Sequence, residues 1–83
     1  MKLVYFARVR EALGCEGEEM EFPANVLTVG DAIDWLTAQS PRYAEAFADR
    51  SKLRFALDQR LVKSDVPIKG ATEFAIFPPV TGG

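Results

Sequence analysis

Glu73-Phe74-Ala75-Ile76-Phe77-Pro78-Pro79-Val80-Thr81-Gly82-Gly83 closes the sequence, and its first five residues decide the fold. They read as a last strand, with Phe74 and Ile76 on one face and Ala75 and Phe77 on the other. Pro78 and Pro79 stop it, because neither can donate a ladder hydrogen bond. Whatever follows must leave the sheet. The domain is therefore predicted to span residues 1–78, and 79–83 to form an extended tail reaching at most roughly 16 to 18 Å at about 3.3 to 3.6 Å per residue.

Working back from that strand, Leu53, Phe55 and Leu57 alternate with Arg54, Ala56 and Asp58, and a tight turn at Asp58-Gln59 leads into Arg60-Leu61-Val62, a predicted hairpin. Ser40-Pro41 has the form of an N-cap with proline at the first helical position, and Tyr43, Ala44, Phe47 and Ala48 carry a short helix to near Asp49-Arg50. Upstream, Thr28 and Asp31 form a predicted capping box, and Val29, Ala32, Ile33 and Leu36 share one buried face, with Trp35 and the aromatics of the shorter helix assigned to the core. At the start, Leu3 to Ala7 reads as a strand with Phe6 on the face opposite Leu3 and Tyr5. Val9 to Leu13 follows as a helical turn ended by Gly14, and Glu18 to Phe22 as an edge strand. The order of elements predicts an α+β domain with a mixed sheet and helices packed on one face, for which a ubiquitin-like β-grasp is the compact solution.

Composition removes most enzyme classes. The 83 residues are 48% hydrophobic with a formal charge of −2 and no basic block, so nucleic acid is not an expected partner. No run approaches the ~20 apolar residues of a membrane span, and the expected location is the cytoplasm. There is one cysteine, Cys15, and no histidine, so neither a disulfide framework nor a nitrogen/sulfur metal site nor a histidine-assisted nucleophile is expected. Cys15 lies in a loop without a basic residue beside it and is read as an unreactive side chain.

The tail offers different chemistry. Two prolines stiffen its base and Gly82-Gly83 make its end as narrow as polypeptide can be, suited to a channel closed around backbone. Ordering it on a partner costs about 1 to 2 kcal/mol per residue, to be offset by burial of Val80 and by backbone hydrogen bonds. A terminal carboxyl, with a pKa of about 3.3 to 3.7, is ionised and a poor electrophile at neutral pH. Joining it to AMP makes a leaving group, and attack by a sulfur donor then leaves a thiocarboxylate, a nucleophile that needs no histidine.

Phe77-Pro78-Pro79-Val80-Thr81-Gly82-Gly83, together with Phe6-Ala7-Arg8-Val9-Arg10-Glu11-Ala12-Leu13-Gly14, resembles the family of small, sulfur-carrying subunits of molybdopterin synthase, and the similarity of layout covers the whole chain. The resemblance implies a β-grasp fold and adenylation of Gly83 by a ubiquitin-activating-like adenylyltransferase that uses ATP. It further implies conversion to a thiocarboxylate by a sulfur donor protein, and insertion of Pro79, Val80, Thr81 and Gly82 into the large synthase subunit. There sulfur would pass to cyclic pyranopterin monophosphate, with no cofactor bound by this chain and the catalytic groups on the partner. It also implies a docking surface at Phe6, Arg10, Leu61 and Phe77. Asp58, where the family commonly has asparagine, and Gly70-Ala71-Thr72-Glu73, in place of a Gly-Asp-Glu turn, depart from the pattern. A carrier for thiamine synthesis or tRNA thiolation, or a β-grasp binding module or protein modifier, would share the fold.

Overall fold

A computed structural model describes residues 1–79. Its elements are β1 (Lys2–Tyr5), α1 (Ala7–Leu13), β2 (Gly17–Glu19), α2 (Val29–Gln39), α3 (Pro41–Ala46), a 3-10 turn (Arg50–Lys52), β3 (Arg54–Leu57), β4 (Arg60–Val62) and β5 (Glu73–Phe77). The strands form one sheet in the order β2-β1-β5-β3-β4. β1 and β5 run parallel at its centre, while β1–β2, β3–β5 and β3–β4 are antiparallel, so the sheet is mixed. This is the β-grasp arrangement.

The register sorts the side chains. Leu3 stands opposite Phe74 and Tyr5 opposite Ile76, and all four are essentially inaccessible to solvent. They form the floor on which α2 lies with Val29, Ala32, Ile33 and Leu36, each wholly buried. At about 1.5 to 3 kcal/mol for each fully buried aliphatic side chain, this helix-to-sheet contact is the main stabilising layer. The capping box that starts α2 is formed in both directions, with Asp31 N–H donating to Thr28 Oγ1 at 3.1 Å and Thr28 N–H donating to Asp31 Oδ2 at 3.2 Å.

Several boundaries differ from those read in the sequence. β1 ends at Tyr5, and Ala7 already begins α1, with φ of 51°. β2 stops at Glu19 rather than continuing to Phe22: Lys2, the first residue of β1, pairs with Glu19, so only Met1 remains to accept a bond from Met20 N–H, at 2.9 Å. Phe22 instead packs edge-on against Trp35, their ring centroids 5.4 Å apart, and Trp35 is half-buried at the rim of the core rather than within it. The helix starting at Pro41 ends at Ala46, short of Asp49-Arg50, and Asp49 caps the following 3-10 turn by accepting from Ser51 N–H at 3.1 Å. Ser40 occupies the N-cap position of α3 without a capping hydrogen bond from its side chain.

The end of α1 and the β3–β4 hairpin both use left-handed backbone. Gly14 closes α1 with φ of 76° and donates its N–H to Arg10 O at 2.9 Å. Asp58 and Gln59, at φ of 49° and 70°, make the two-residue turn of the β3–β4 hairpin, whose strand twist requires positive φ at both positions.

Candidate functional site

The face of the sheet away from the helices carries the candidate docking residues. Parity places Val4 of β1, Ala75 and Phe77 of β5, Arg54 and Ala56 of β3, and Leu61 of β4 on it, since Val4 pairs with Ala75, Phe77 with Arg54 and Ala56 with both Ala75 and Leu61. Phe6 continues the β1 alternation past the last strand residue, and its N–H still donates to Ile76 O at 3.3 Å. Its ring meets Phe77 edge-on, with centroids 6.4 Å apart and planes at 80°. Phe6 is 48% exposed and Leu61 79% exposed, which is costly for side chains of this size in water. The small Ala56 and Ala75 lie low between them. Arg10, exposed on α1, donates its backbone N–H to Phe6 O at 3.3 Å, so it shares the corner of the sheet with Phe6 rather than the open face.

Phe77 is the last residue of β5 and leads directly into Pro78 and Pro79 at the same corner. On the helix side of these prolines a cleft runs between α1 and the segment after α3, lined by Ala7, Arg8, Glu11, Lys52, Pro78 and Pro79 among others. The remaining tail residues assigned a role in the sequence, Val80, Thr81, Gly82 and Gly83, lie outside the described residues.

Sequence reasoning did not find the polar cluster that joins the two edges of the fold. Glu18, on β2 opposite Leu3, accepts hydrogen bonds on Oε2 from the hydroxyls of Tyr5, at 2.8 Å, and Tyr43, at 2.6 Å. Its Oε1 accepts from Arg42 Nη2 at 2.6 Å, and Arg42 Nη1 donates to Leu13 O at 2.7 Å. Four elements (β1, α1, β2 and α3) are thereby tied to one carboxylate. Burial by itself would raise the Glu18 carboxyl, but the Tyr43 and Tyr5 hydroxyls and the Arg42 guanidinium outweigh it and hold it below the usual carboxylate range. Burial, reinforced by Glu18, pushes the Tyr5 hydroxyl well above the ordinary phenol value. The available signal was chemical: buried tyrosines require partners for their hydroxyls, and Glu18 was the inward-facing polar residue of β2.

The same cluster corrects the reading of Cys15. Arg42 Nη1 lies 4.0 Å from its Sγ, so the thiol does have a basic neighbour, supplied by α3 across 27 positions of sequence. Among the described residues no three or more cysteine, aspartate or glutamate side chains gather as a metal-binding group. No helix among them is long and apolar enough to cross a membrane.

On this β-grasp the last strand thus hands its chain to Pro78 and Pro79 beside the exposed Phe6 and the half-buried Phe77. The ThiS family profile matches residues 3–83, nearly the whole chain. The chain belongs to the ThiS family. Among curated members of similar sequence, the molybdopterin synthase sulfur carrier subunit of Escherichia coli is 42% identical, with 100% of this chain and 99% of that protein aligned. The protein of the same name from Haemophilus influenzae is 30% identical over 100% of this chain and 99% of its own length. Of solved structures, molybdopterin converting factor subunit 1 from Pyrococcus furiosus superposes with a TM-score of 0.73 at 30% identity, covering 95% of each chain. Small archaeal modifier protein 1 of Haloferax volcanii gives a TM-score of 0.72 at 22% identity, over 96% of this chain and 97% of that one, and shares the fold. As a ThiS-family chain, the protein carries its family likeness through Gly82 and Gly83.

Proposed function

We propose that this ThiS-family chain is the sulfur-carrier subunit of a molybdopterin synthase. The observation that carries this is the full-length 42% identity to the E. coli subunit of that name, within a family match that runs to Gly83. In this reading the Gly83 carboxylate attacks the α-phosphorus of ATP on a ubiquitin-activating-like adenylyltransferase, releasing pyrophosphate and forming an acyl adenylate. The terminal sulfur of a donor protein's persulfide then attacks the acyl carbon and expels AMP, and a thiol cleaves the resulting acyl disulfide at its S–S bond, forming a disulfide with the donor's sulfur and leaving Gly83 as a thiocarboxylate. The tail, Pro79 to Gly82, carries that sulfur into the large synthase subunit. There it is transferred to cyclic pyranopterin monophosphate and Gly83 returns to a carboxylate. The chain binds no cofactor in this scheme and acts in the cytoplasm.

The open face supports the docking half of the proposal. Phe6 and Phe77 offer apolar surface beside the root of the tail, Arg10 adds a cation at their corner, and Leu61 extends the apolar face to the far edge strand β4. Docking there would bury the aromatic pair while directing Pro78-Pro79 into the partner. Deleting Gly83 is the test: sulfur transfer to the pterin is expected to vanish while the thermal unfolding midpoint stays that of the intact chain. Retained transfer would rule out the tail as the sulfur bearer.

A further inference from the structure

We infer that Ala7 is a positioning residue for sulfur delivery, its left-handed backbone fixing the direction of Phe6 relative to the root of the tail. The inference rests on the sulfur-carrier proposal and extends it to a residue that touches no reacting atom. Three non-glycine residues among those described have positive φ: Ala7 at 51°, Asp58 at 49° and Gln59 at 70°. The hairpin turn accounts for Asp58 and Gln59. Nothing comparable accounts for Ala7, which stands between a strand and a helix.

At that junction a single residue does all the turning. Phe6 is still extended, at φ −125° and ψ 153°, and its N–H completes the β1–β5 ladder on Ile76 O. The carbonyl of the same residue already accepts from Val9 N–H at 3.1 Å and Arg10 N–H at 3.3 Å, the opening bonds of α1. Because Ala7 turns the chain here, β1 leaves the sheet beside Phe77, and the run into Pro78 and Pro79 has no strand alongside it from β1. On its other side β3 begins only at Arg54, the partner of Phe77. Ala7 itself lines the cleft with Pro78 and Pro79.

Glycine would adopt this conformation without strain. The methyl group of alanine makes the left-handed region small, so an alanine here has one narrow well where glycine would have a broad one. A side chain that strains the backbone and sits exposed in solvent adds nothing to the core. It does restrict how Phe6, and with it the Phe6–Phe77 contact, can swing about the end of the sheet. Strain retained at such a junction is expected where direction matters more than stability.

The experiment compares wild type, Ala7→Gly and Ala7→Asn, each prepared with a Gly83 thiocarboxylate by sulfide cleavage of an intein fusion, so that the activating enzyme is bypassed. Single-turnover transfer with the large subunit, the unfolding midpoint and the Phe6–Phe77 ring contact by NMR are measured for all three. Asparagine tolerates the left-handed region yet keeps a side chain. Transfer by Ala7→Gly should be slower by about tenfold, with Ala7→Asn within about twofold of wild type, the scale expected when a reacting group is misdirected. The midpoint of Ala7→Gly should be equal to or above wild type, and its ring contact weakened. Equal transfer rates in wild type and Ala7→Gly overturn the inference, as does a loss in Ala7→Gly that merely tracks a lower midpoint. A wild-type thiocarboxylate that transfers nothing refutes the sulfur-carrier proposal itself, and the NMR comparison still reports whether Ala7 holds the aromatic pair.

Discussion

Glu18 shows how much of this small fold depends on a single carboxylate. Truncating it to alanine leaves the inaccessible Tyr5 without a partner for its hydroxyl and releases Arg42, so Glu18→Ala is expected to destabilise by roughly 1 to 3 kcal/mol in chemical denaturation. The Asp58 carboxylate has a comparable task at the surface: its Oδ1 accepts from Thr72 N–H and Glu73 N–H, both at 3.0 Å, and from Thr72 Oγ1 at 2.9 Å. Asp58 and the Thr72-Glu73 turn are thus bonded to each other. The hydrogen bonds from Thr72 and Glu73 lower the Asp58 carboxyl, as the tyrosines and Arg42 lower that of Glu18. Both folded-state values lie below the unfolded ones, about 3.9 for Asp and 4.3 for Glu, so their stabilisation is complete above those values and lost as pH falls through the folded pKa. Unfolding midpoints followed into acid should therefore fall less steeply for Asp58→Asn and Glu18→Gln than for wild type. That Phe6 and Phe77 each lie opposite the buried residues of their strands was legible because strand alternation is local; that their rings meet follows from the pairing of β1 with β5. Glu18 and Arg42 were not legible as partners, because 24 residues separate them and only the folded sheet brings α3 to β2. For the aromatic pair, Phe6→Ala or Phe77→Ala should cost about 2 kcal/mol or more in binding the large subunit, as an interface anchor does. A loss of stability as large as the loss of binding would identify the residue as core.

Among the elements, α2 was the most completely legible, since its capping residues and its buried stripe are set by spacing alone. Thr28→Ala should lower stability by roughly 1 kcal/mol through loss of the cap. Ile33→Ala, at a fully buried position over the sheet, should cost about 2 to 5 kcal/mol, measurable by the same denaturation. The edges of other elements were harder to read for reasons that differ. Polar and apolar residues alternate through Glu18 to Phe22, yet a strand can extend only as far as its neighbour, and β1 starts at Lys2. Phe47 fits the helical period of α3 and is buried, but it is the C-cap residue, its N–H donating to Tyr43 O at 2.9 Å. Periodicity registers which side chains face the core and is blind to where the backbone ladder ends.

Across the whole molecule, the mixed sheet follows from the two pairings of β5, parallel to β1 and antiparallel to β3, which bury both Phe74 and Ile76 beneath α2. The alternation of β5 marked it as a strand, but its central place and its neighbours were a matter of topology, fixed by long-range burial. The same topology sets the end of β5 beside Phe6 and sends Pro78-Pro79 out of the sheet, and in the proposed reading the fold holds the tail while a partner supplies the catalysis. Intact-protein mass spectrometry after incubation with the activating enzyme, ATP and the sulfur donor tests that claim most directly. The account predicts replacement of one oxygen by sulfur at Gly83, dependent on ATP and reversed when the large subunit and cyclic pyranopterin monophosphate are added. A mass unchanged under those conditions, or sulfur located on Cys15 instead of Gly83, would contradict it.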